Sequence, residues 1–306
     1  MKRTYLAAVL TVAVLVSAPH ANAQTTGLGR AVITVFSKHS ELAPNVTQQD
    51  VSAKINGKDA DVTGWQPFKG GDDALELVVL IGAGARNLGP QLDEISSFIQ
   101  AQGPRTKIAV GYMQNGRAIL TGPLSTDHKQ VANGLHLPAG PTTSPYFSLS
   151  DLAQHWPSQD RKARREVLLL SDGVDPENRR LDLDDPYVQS AVNDSLRAGL
   201  VVYALYWLSR TERDDSSITL GGGQSLLNEL TQATGGYSYW SGNGNPTSFQ
   251  PFFDDLGRRF ENQYALEFTA HLDHKPAIES LKLKVEGMSI SVTAPQQVYI
   301  HHAGPE

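Results

Sequence analysis

Three short apolar runs constrain this chain more than any other feature. Residues 75–81 (Leu-Glu-Leu-Val-Val-Leu-Ile), 166–171 (Glu-Val-Leu-Leu-Leu-Ser) and 201–207 (Val-Val-Tyr-Ala-Leu-Tyr-Trp) are hydrophobic at nearly every position. A strand that is apolar on both faces has to be covered on both faces. The segments between the runs have helical spacing. Leu92, Ile95, Phe98 and Ile99 share one face, helices are expected near 149–156 and over about 186–198, and glycines 221–223 open a helix through Leu226, Leu227 and Leu230. Residues 107–113 and 118–121, joined through Asn115-Gly116, read as a strand pair. Residues 237–240 form a short strand before a last helix holding Phe252, Phe253, Leu256 and Phe260. Buried strands alternating with helices predict βαβ units. The expectation is a three-layer α/β/α, Rossmann-like domain over residues 74–262, with a sheet of about six strands, mostly parallel, and one antiparallel edge strand.

The flanks have a different period. Residues 31–36 alternate weakly, and residues 51–64 around Asn56-Gly57 read as a β-hairpin, because a type I′ turn needs positive φ at both central positions. Gly70-Gly71-Asp72-Asp73 breaks that pattern. After the last helix, 264–268, 281–285 and 298–300 alternate apolar with polar residues, as half-exposed antiparallel strands do. Small β segments are therefore expected at 30–70 and 263–300. They should pack on each other, since short hairpin-like units are marginal alone.

Residues 1–23 read as a signal peptide. Lys2 and Arg3 precede an apolar stretch from Tyr5 to about Ala18, and Ala21-Asn22-Ala23 gives the small-x-small cleavage pattern before Gln24. The stretch is shorter than the ~20 apolar residues that span a bilayer. With no cysteine in the chain there is no lipobox. The expected location is secreted or periplasmic, with no stable membrane insertion after cleavage. Against 32 Asp and Glu stand 26 Lys and Arg, a formal charge of -6, so no global basic field draws the chain to nucleic acid.

Ligands in open α/β sheets bind beyond the carboxyl ends of the strands. The first such loop reads Ile81-Gly82-Ala83-Gly84-Ala85-Arg86-Asn87-Leu88-Gly89. It has Asn87 where a dinucleotide fingerprint has Gly or Ala, and no acidic residue follows the next strand, so nucleotide binding at 82–87 is a minor alternative. Neither G-x-S-x-G nor H-E-x-x-H occurs. An enzyme is thus not expected; the alternative is an extracytoplasmic, hydrolase-type enzyme with an unrecognised active site. Asp182, Asp184, Asp185, Asp214 and Asp215 are read as solvated acidic loops, and the pairs His271/His274 and His301/His302 lack a third ligand for zinc. The basic run Arg161-Lys162-Ala163-Arg164-Arg165 is read as a solvated face opposite the binding loops.

A set of phrases then carries a family resemblance: Gly111-Tyr-Met-Gln-Asn-Gly116, Ser144-Pro-Tyr-Phe147, Asp151-Leu-Ala-Gln-His-Trp-Pro157, Arg165-Glu-Val-Leu-Leu-Leu-Ser-Asp-Gly173, Asp185-Pro-Tyr-Val188, Thr234-Gly-Gly236 and Asn262-Gln-Tyr-Ala265. Over roughly residues 30–300 the chain resembles von Willebrand factor A (vWA) domains, and more closely the secreted VWFA-related proteins of the acidobacterial type. The resemblance implies a metal-ion-dependent adhesion site, in which a D-x-S-x-S loop, a Thr and an Asp hold a divalent cation, usually magnesium. Here Gly82, Gly84 and Arg86 stand where Asp, Ser and Ser should be. Ser144 matches the Thr and Asp172 the Asp. Hard cations want a shell of oxygen ligands, so the site is degenerate: Ser144 and Asp172 are its remaining metal-ligand candidates. No cofactor is expected, magnesium being the one ion the resemblance would supply. Arg86 either pairs with Asp172 in place of the ion or stands in solvent while Asp172 accepts backbone N–H groups. The resulting expectation is an exported, non-catalytic protein-interaction module that needs no metal. It would meet a protein partner at the carboxyl edge of the sheet through loops containing Gly82, Gly84, Arg86, Asn87 and Asp172.

Overall fold

The computed structural model describes residues 25–38, 45–69, 74–176, 181–208, 217–242, 244–272, 275–287 and 289–302. The signal-peptide reading, the Gly70-Gly71-Asp72-Asp73 break, His274, Asp214 and Asp215 fall outside them. The strands are β1 (Thr25–Ser37), β2 (Val51–Ile55), β3 (Lys58–Pro67), β4 (Leu75–Ile81), β5 (Thr106–Gln114), β6 (Arg117–Leu120), β7 (Arg164–Ser171), β8 (Leu200–Tyr206), β9 (Ser238–Tyr239), β10 (Gln263–Leu272), β11 (Ala277–Val285), β12 (Ile290–Thr293) and β13 (Gln297–His302). The α-helices are α1 (Gln91–Gln100), α2 (His128–Ala132), α3 (Pro145–Gln154), α4 (Pro186–Ala198), α5 (Ser217–Thr234) and α6 (Gln250–Glu261).

The three apolar runs became the centre of a six-stranded sheet ordered β6-β5-β4-β7-β8-β9. All neighbours in it are parallel except the edge pair β5–β6. Numbered within the sheet this is the doubly wound order 3-2-1-4-5-6, whose direction reverses between β4 and β7. Every residue of β4 and β8 is buried. Leu77, Val79, Leu168, Leu170 and Tyr203 face a layer containing α1 and α6. Val78, Leu80, Val167, Leu169 and Val202 face α3, α4 and α5. The helices start where local chemistry favours it: Asp185 caps α4 by accepting from the Tyr187 and Val188 N–H groups, with Pro186 behind it. Helix α3 begins earlier than hydrophobic spacing suggested, because Ser144 caps it and Pro145 occupies its first turn.

The terminal segments do not form two small flanking units. They make one seven-stranded antiparallel sheet, β10-β3-β2-β11-β13-β1-β12, in which β10 also pairs with β1. Six of its strands thus close on themselves. The Asn56-Gly57 turn has the expected positive φ at both residues, and β2 pairs with β11 from Leu281↔Ile55 to Val285↔Val51. The long β1 makes closure possible, pairing with β10 along one side and with β12 and β13 along the other. Inside lies a separate core including Ile33, Val35, Trp65, Leu266, Phe268 and Ile300.

The two sheets meet at the amino ends of β7 and β8, where Arg161 and Lys162 of the basic run are exposed as expected but Arg164 and Arg165 are drawn in. Arg164 is buried, donates to the Phe260 carbonyl at 2.8 Å and to the Gln263 side chain, and lies 4.8 Å over the Phe68 ring. Gln263 in turn donates to the Tyr203 hydroxyl at 3.0 Å. A buried guanidinium needs acceptors, and here the last turn of α6 and the Gln263 side chain supply them.

Candidate functional site

The switch point lies between the loops that follow β4 and β7. In the first, the Gly82 N–H donates to the Leu170 carbonyl at 2.8 Å, and a Cβ at Gly82 would sit 2.9 Å from that oxygen. Glycine here lets the loop pack directly on β7. Ala83, Ala85 and Leu88 are buried, and helix α1 begins only at Gln91. The glycines therefore do not open onto a helix N-terminus as a phosphate-binding loop does. Gly84 is half-buried in the turn. Asn87, exposed overall, accepts the Trp207 indole N–H at 2.8 Å and ties this loop to the end of β8.

Arg86 is exposed, and its guanidinium donates to the carbonyl of Gly140, in the segment between α2 and α3. The same segment is fastened to the sheet by the Gly116 N–H donating to Thr143 Oγ1 at 2.7 Å, and by the Tyr112 ring stacked on His136 at 4.1 Å. Arg86 thus braces a neighbouring loop.

In the loop after β7, Asp172 Oδ1 accepts the Val174 N–H at 3.1 Å, the turn-forming behaviour that was one of the two expectations for it. Gly173 has φ +71°, and its Cβ would lie 2.3 Å from the Gly223 carbonyl. A Cβ on Gly223 would lie 2.2 Å from the Asp172 carbonyl. The Ser-Asp-Gly turn and helix α5 approach each other closely through two glycines.

Ser144 and Asp175 form the most enclosed polar pair at this edge. Both are buried, and Ser144 Oγ donates to Asp175 Oδ2 at 2.5 Å while accepting the Phe147 N–H at 3.3 Å. Tyr146 is fully buried beside them and donates to the Gly173 carbonyl at 2.9 Å. Burial pushes its hydroxyl well above the usual tyrosine range, with the charges of Asp175, Asp172 and Asp185 adding to the effect. Sequence reasoning chose Asp172 and passed over Asp175 and Trp207. Nothing in a single sequence marks an aspartate three residues beyond a motif as the one that turns inward.

The donor set does not fit a divalent cation. Positions 82, 84 and 86 of the first loop supply no side-chain oxygen, that of Asn87 accepts the Trp207 indole N–H, Ser144 Oγ is committed to Asp175 and the α3 cap, and one Asp172 oxygen closes its own turn. Among the described residues no three His, Cys, Asp or Glu side chains converge. Asp182 and Asp185, read as solvated acid, serve local turns: Asp182 Oδ1 accepts the Asp184 N–H at 3.1 Å, and Asp185 caps α4.

No family model matches the chain, and no curated protein matches it. Solved structures similar to it include an aerotolerance-related membrane protein from Bacteroides fragilis NCTC 9343, at 10% identity over 61% of this chain and 98% of that one, TM-score 0.43. Others are the manganese-loaded TRAP protein of Plasmodium vivax, at 12% identity over 76% and 96%, TM-score 0.43, and the vWF domain of the type V pili tip protein Mfa5 from Porphyromonas gingivalis, at 9% identity over 60% and 94%, TM-score 0.42. The six-stranded sheet, with its order, helical layers and single antiparallel edge, is the three-layer α/β/α, Rossmann-like architecture expected from the sequence. Among the described residues no helix is long and apolar enough to cross a membrane.

Proposed function

We propose that this chain is an exported, vWA-like protein-interaction module, non-catalytic and independent of bound metal, whose partner contacts the carboxyl edge of the parallel sheet. The observation that carries the reading is a contrast at that edge. Its polar candidates are held by internal partners, Ser144 by Asp175, Asn87 by Trp207 and Asp172 by its own turn, while its outward surface offers apolar side chains: Leu137 is 47% exposed, Leu183 43% and Tyr187 44%. Tyr187 is held edge-on to Phe147 at 4.5 Å, so it is presented on a supported platform. Aromatic side chains of this kind are the usual anchors of protein interfaces. Export is supported by residues 1–23.

The test is capture of partner from an extracytoplasmic extract by the mature protein, in chelator, compared with Leu137→Glu and Tyr187→Glu. The expected result is a defined partner retained by the parent and lost by both variants. Retention by both variants, or dependence on added magnesium, would overturn the reading. Turnover of a defined substrate abolished by one loop substitution would favour an enzyme instead.

A further inference from the structure

At the opposite, amino edge of the parallel sheet the two halves of the molecule flank a half-open cavity of about 620 Å³. It lies between the ends of α3 and α4, the segment before β7, and strands β1 and β13. Among its lining residues are Arg30, Arg161, Arg165, Arg197, His301 and His302, and no Asp or Glu lines it. Trp156 and Tyr299 add aromatic wall.

The two inner arginines are held by neutral acceptors. Arg30 donates to the Arg161 and Lys162 carbonyls at 2.7 and 2.8 Å. Arg165 donates to the Ser158 and Asp160 carbonyls, each at 3.0 Å. Carbonyls orient a guanidinium without cancelling its charge. Of the carboxylates around the wall, Asp194 pairs with the outer Arg197 at 3.1 Å, while those facing the two inner arginines are distant or shared: Glu267 is 3.9 Å from Arg30, and Glu76 is 4.0 Å from Arg165 but also 3.5 Å from Lys107. The buried Nε atoms of Arg30 and Arg165 have no hydrogen-bond partner among the described residues. Burial lowers the pKa of both groups, Arg161 and Arg30 adding to the effect at Arg165 while the nearby carboxylates oppose it. Two like charges fixed in a half-dry wall are destabilised by each other and relieved by an anion. The carbonyl end of α4 opposes this, but Arg165 already donates to its Ala198 carbonyl, and a helix terminus amounts to roughly half a charge.

We propose that this cavity binds a small organic anion, its carboxylate or phosphate against the arginine wall and its ring along Trp156 and Tyr299. The volume is within the ~300–1,000 Å³ of ligand pockets, which favour domain boundaries, and it exceeds what a bare oxyanion fills. Planar guanidinium forks suit both carboxylate and phosphate.

Calorimetry on the mature protein with inorganic phosphate, glucuronate and glucose tests this. Saturable one-to-one binding is expected for glucuronate, weaker binding for phosphate and none for glucose. Arg161→Gln combined with Arg197→Gln, both exposed side chains, should weaken glucuronate about tenfold, that is about 1.4 kcal/mol. If that variant does not fold, amide and indole NMR shifts of the parent decide, and they should concentrate at Trp156, Ser158 and Gly199. The proposal is overturned if neither anion binds at about 10 mM, a concentration that detects any affinity near −4.1 kcal/mol. Equal binding of glucose, unchanged affinity in the folded variant, or shifts at the carboxyl edge would overturn it too.

Discussion

The carboxyl and amino edges of the parallel sheet handle polar side chains in opposite ways. At the carboxyl edge Ser144 meets Asp175, Asn87 meets Trp207, and Asp172 closes its own turn. Among the described residues, the buried polar atom left without a partner there is a neutral hydroxyl, that of Tyr206. At the amino edge, beside the neutral Ser195 hydroxyl, the buried atoms without a hydrogen bond among the described residues include the Nε atoms of Arg30 and Arg165, and the fully buried Glu166 carboxyl faces Arg164. The edge whose motifs suggest chemistry is internally satisfied. The edge without a motif, where the antiparallel sheet docks, holds the unbalanced charge. Internal satisfaction rigidifies, whereas unbalanced buried charge makes a site responsive to protons or ligands.

The comparison is most easily broken at Gly173. If the carboxyl edge is a closely packed structural unit, Gly173→Ala must both strain a φ of +71° and press a methyl into the Gly223 carbonyl. The expected cost is about 3 kcal/mol, a drop in Tm of roughly 10 °C. Thermal unfolding followed by circular dichroism measures it. A drop under about 2 °C, less than 1 kcal/mol on that scale, would mean that α5 yields and the edge is not rigid.

Glu166 sharpens the other side. Complete burial pushes its carboxyl from 4.5 up to about 7, against the opposing charge of Arg164. A carboxyl with a raised folded pKa binds more protons folded than unfolded. Its contribution is therefore fully present below pH 4.5 and is lost as pH rises through about 7. The loss is on the order of 3 kcal/mol. Urea unfolding of the parent at pH 5 and pH 8 should show this component, and Glu166→Gln should remove it. An identical pH slope in parent and variant would mean the junction tolerates the charge.

How far these differences could be read in advance depends on what each residue's neighbours are in sequence. Strands β4, β7 and β8 announce themselves, because burial on both faces leaves an unbroken apolar run, and each is followed by a helix whose period is equally local. The closure of the antiparallel sheet was not legible. It depends on β1 meeting β10, β12 and β13, more than two hundred residues away, and alternation says which face is buried without saying against what. Arg164 and Arg165 looked like a charged surface because composition cannot show that a second sheet lands on them. Asp175 and Gly140 are invisible for the same reason, as their roles come from partners brought in by the fold. The positions that the resemblance singled out lie at one edge, but the residues there are engaged elsewhere: Arg86 with the Gly140 carbonyl, Ser144 with Asp175 and Asp172 with the Val174 N–H.

A smaller effect tests the tie between the loops after β4 and β8. Asn87→Ala leaves the Trp207 indole N–H, largely buried, without its acceptor. The expected loss is about 1–2 kcal/mol. Trp207→Phe removes the donor, so the double variant should cost less than the sum of the two singles. Strict additivity in denaturant unfolding would show that the bond contributes nothing.

The smallest expected effect is that of magnesium at the carboxyl edge. An adhesion-type site would bring several oxygens to one point, yet Gly82 and Gly84 bring none, Arg86 brings a positive charge to the first loop, and Ser144 Oγ already bonds Asp175. A cation there would have to break the Ser144–Asp175 bond and the α3 cap before gaining a ligand, while most of a roughly six-oxygen shell stayed water. Millimolar magnesium should therefore leave the Tm of the mature protein unchanged, since stabilisation requires binding to the folded state. Arg86→Ala should lose only the bond to Gly140, roughly 0.5–1 kcal/mol, and should gain no magnesium dependence. Calorimetry with magnesium and manganese on parent, Arg86→Ala and Asp172→Ala settles the point. Tight one-to-one binding in the parent that disappears in Asp172→Ala would show that the edge still works as an adhesion site, and the contrast between the two edges would then fail where it is drawn most strongly.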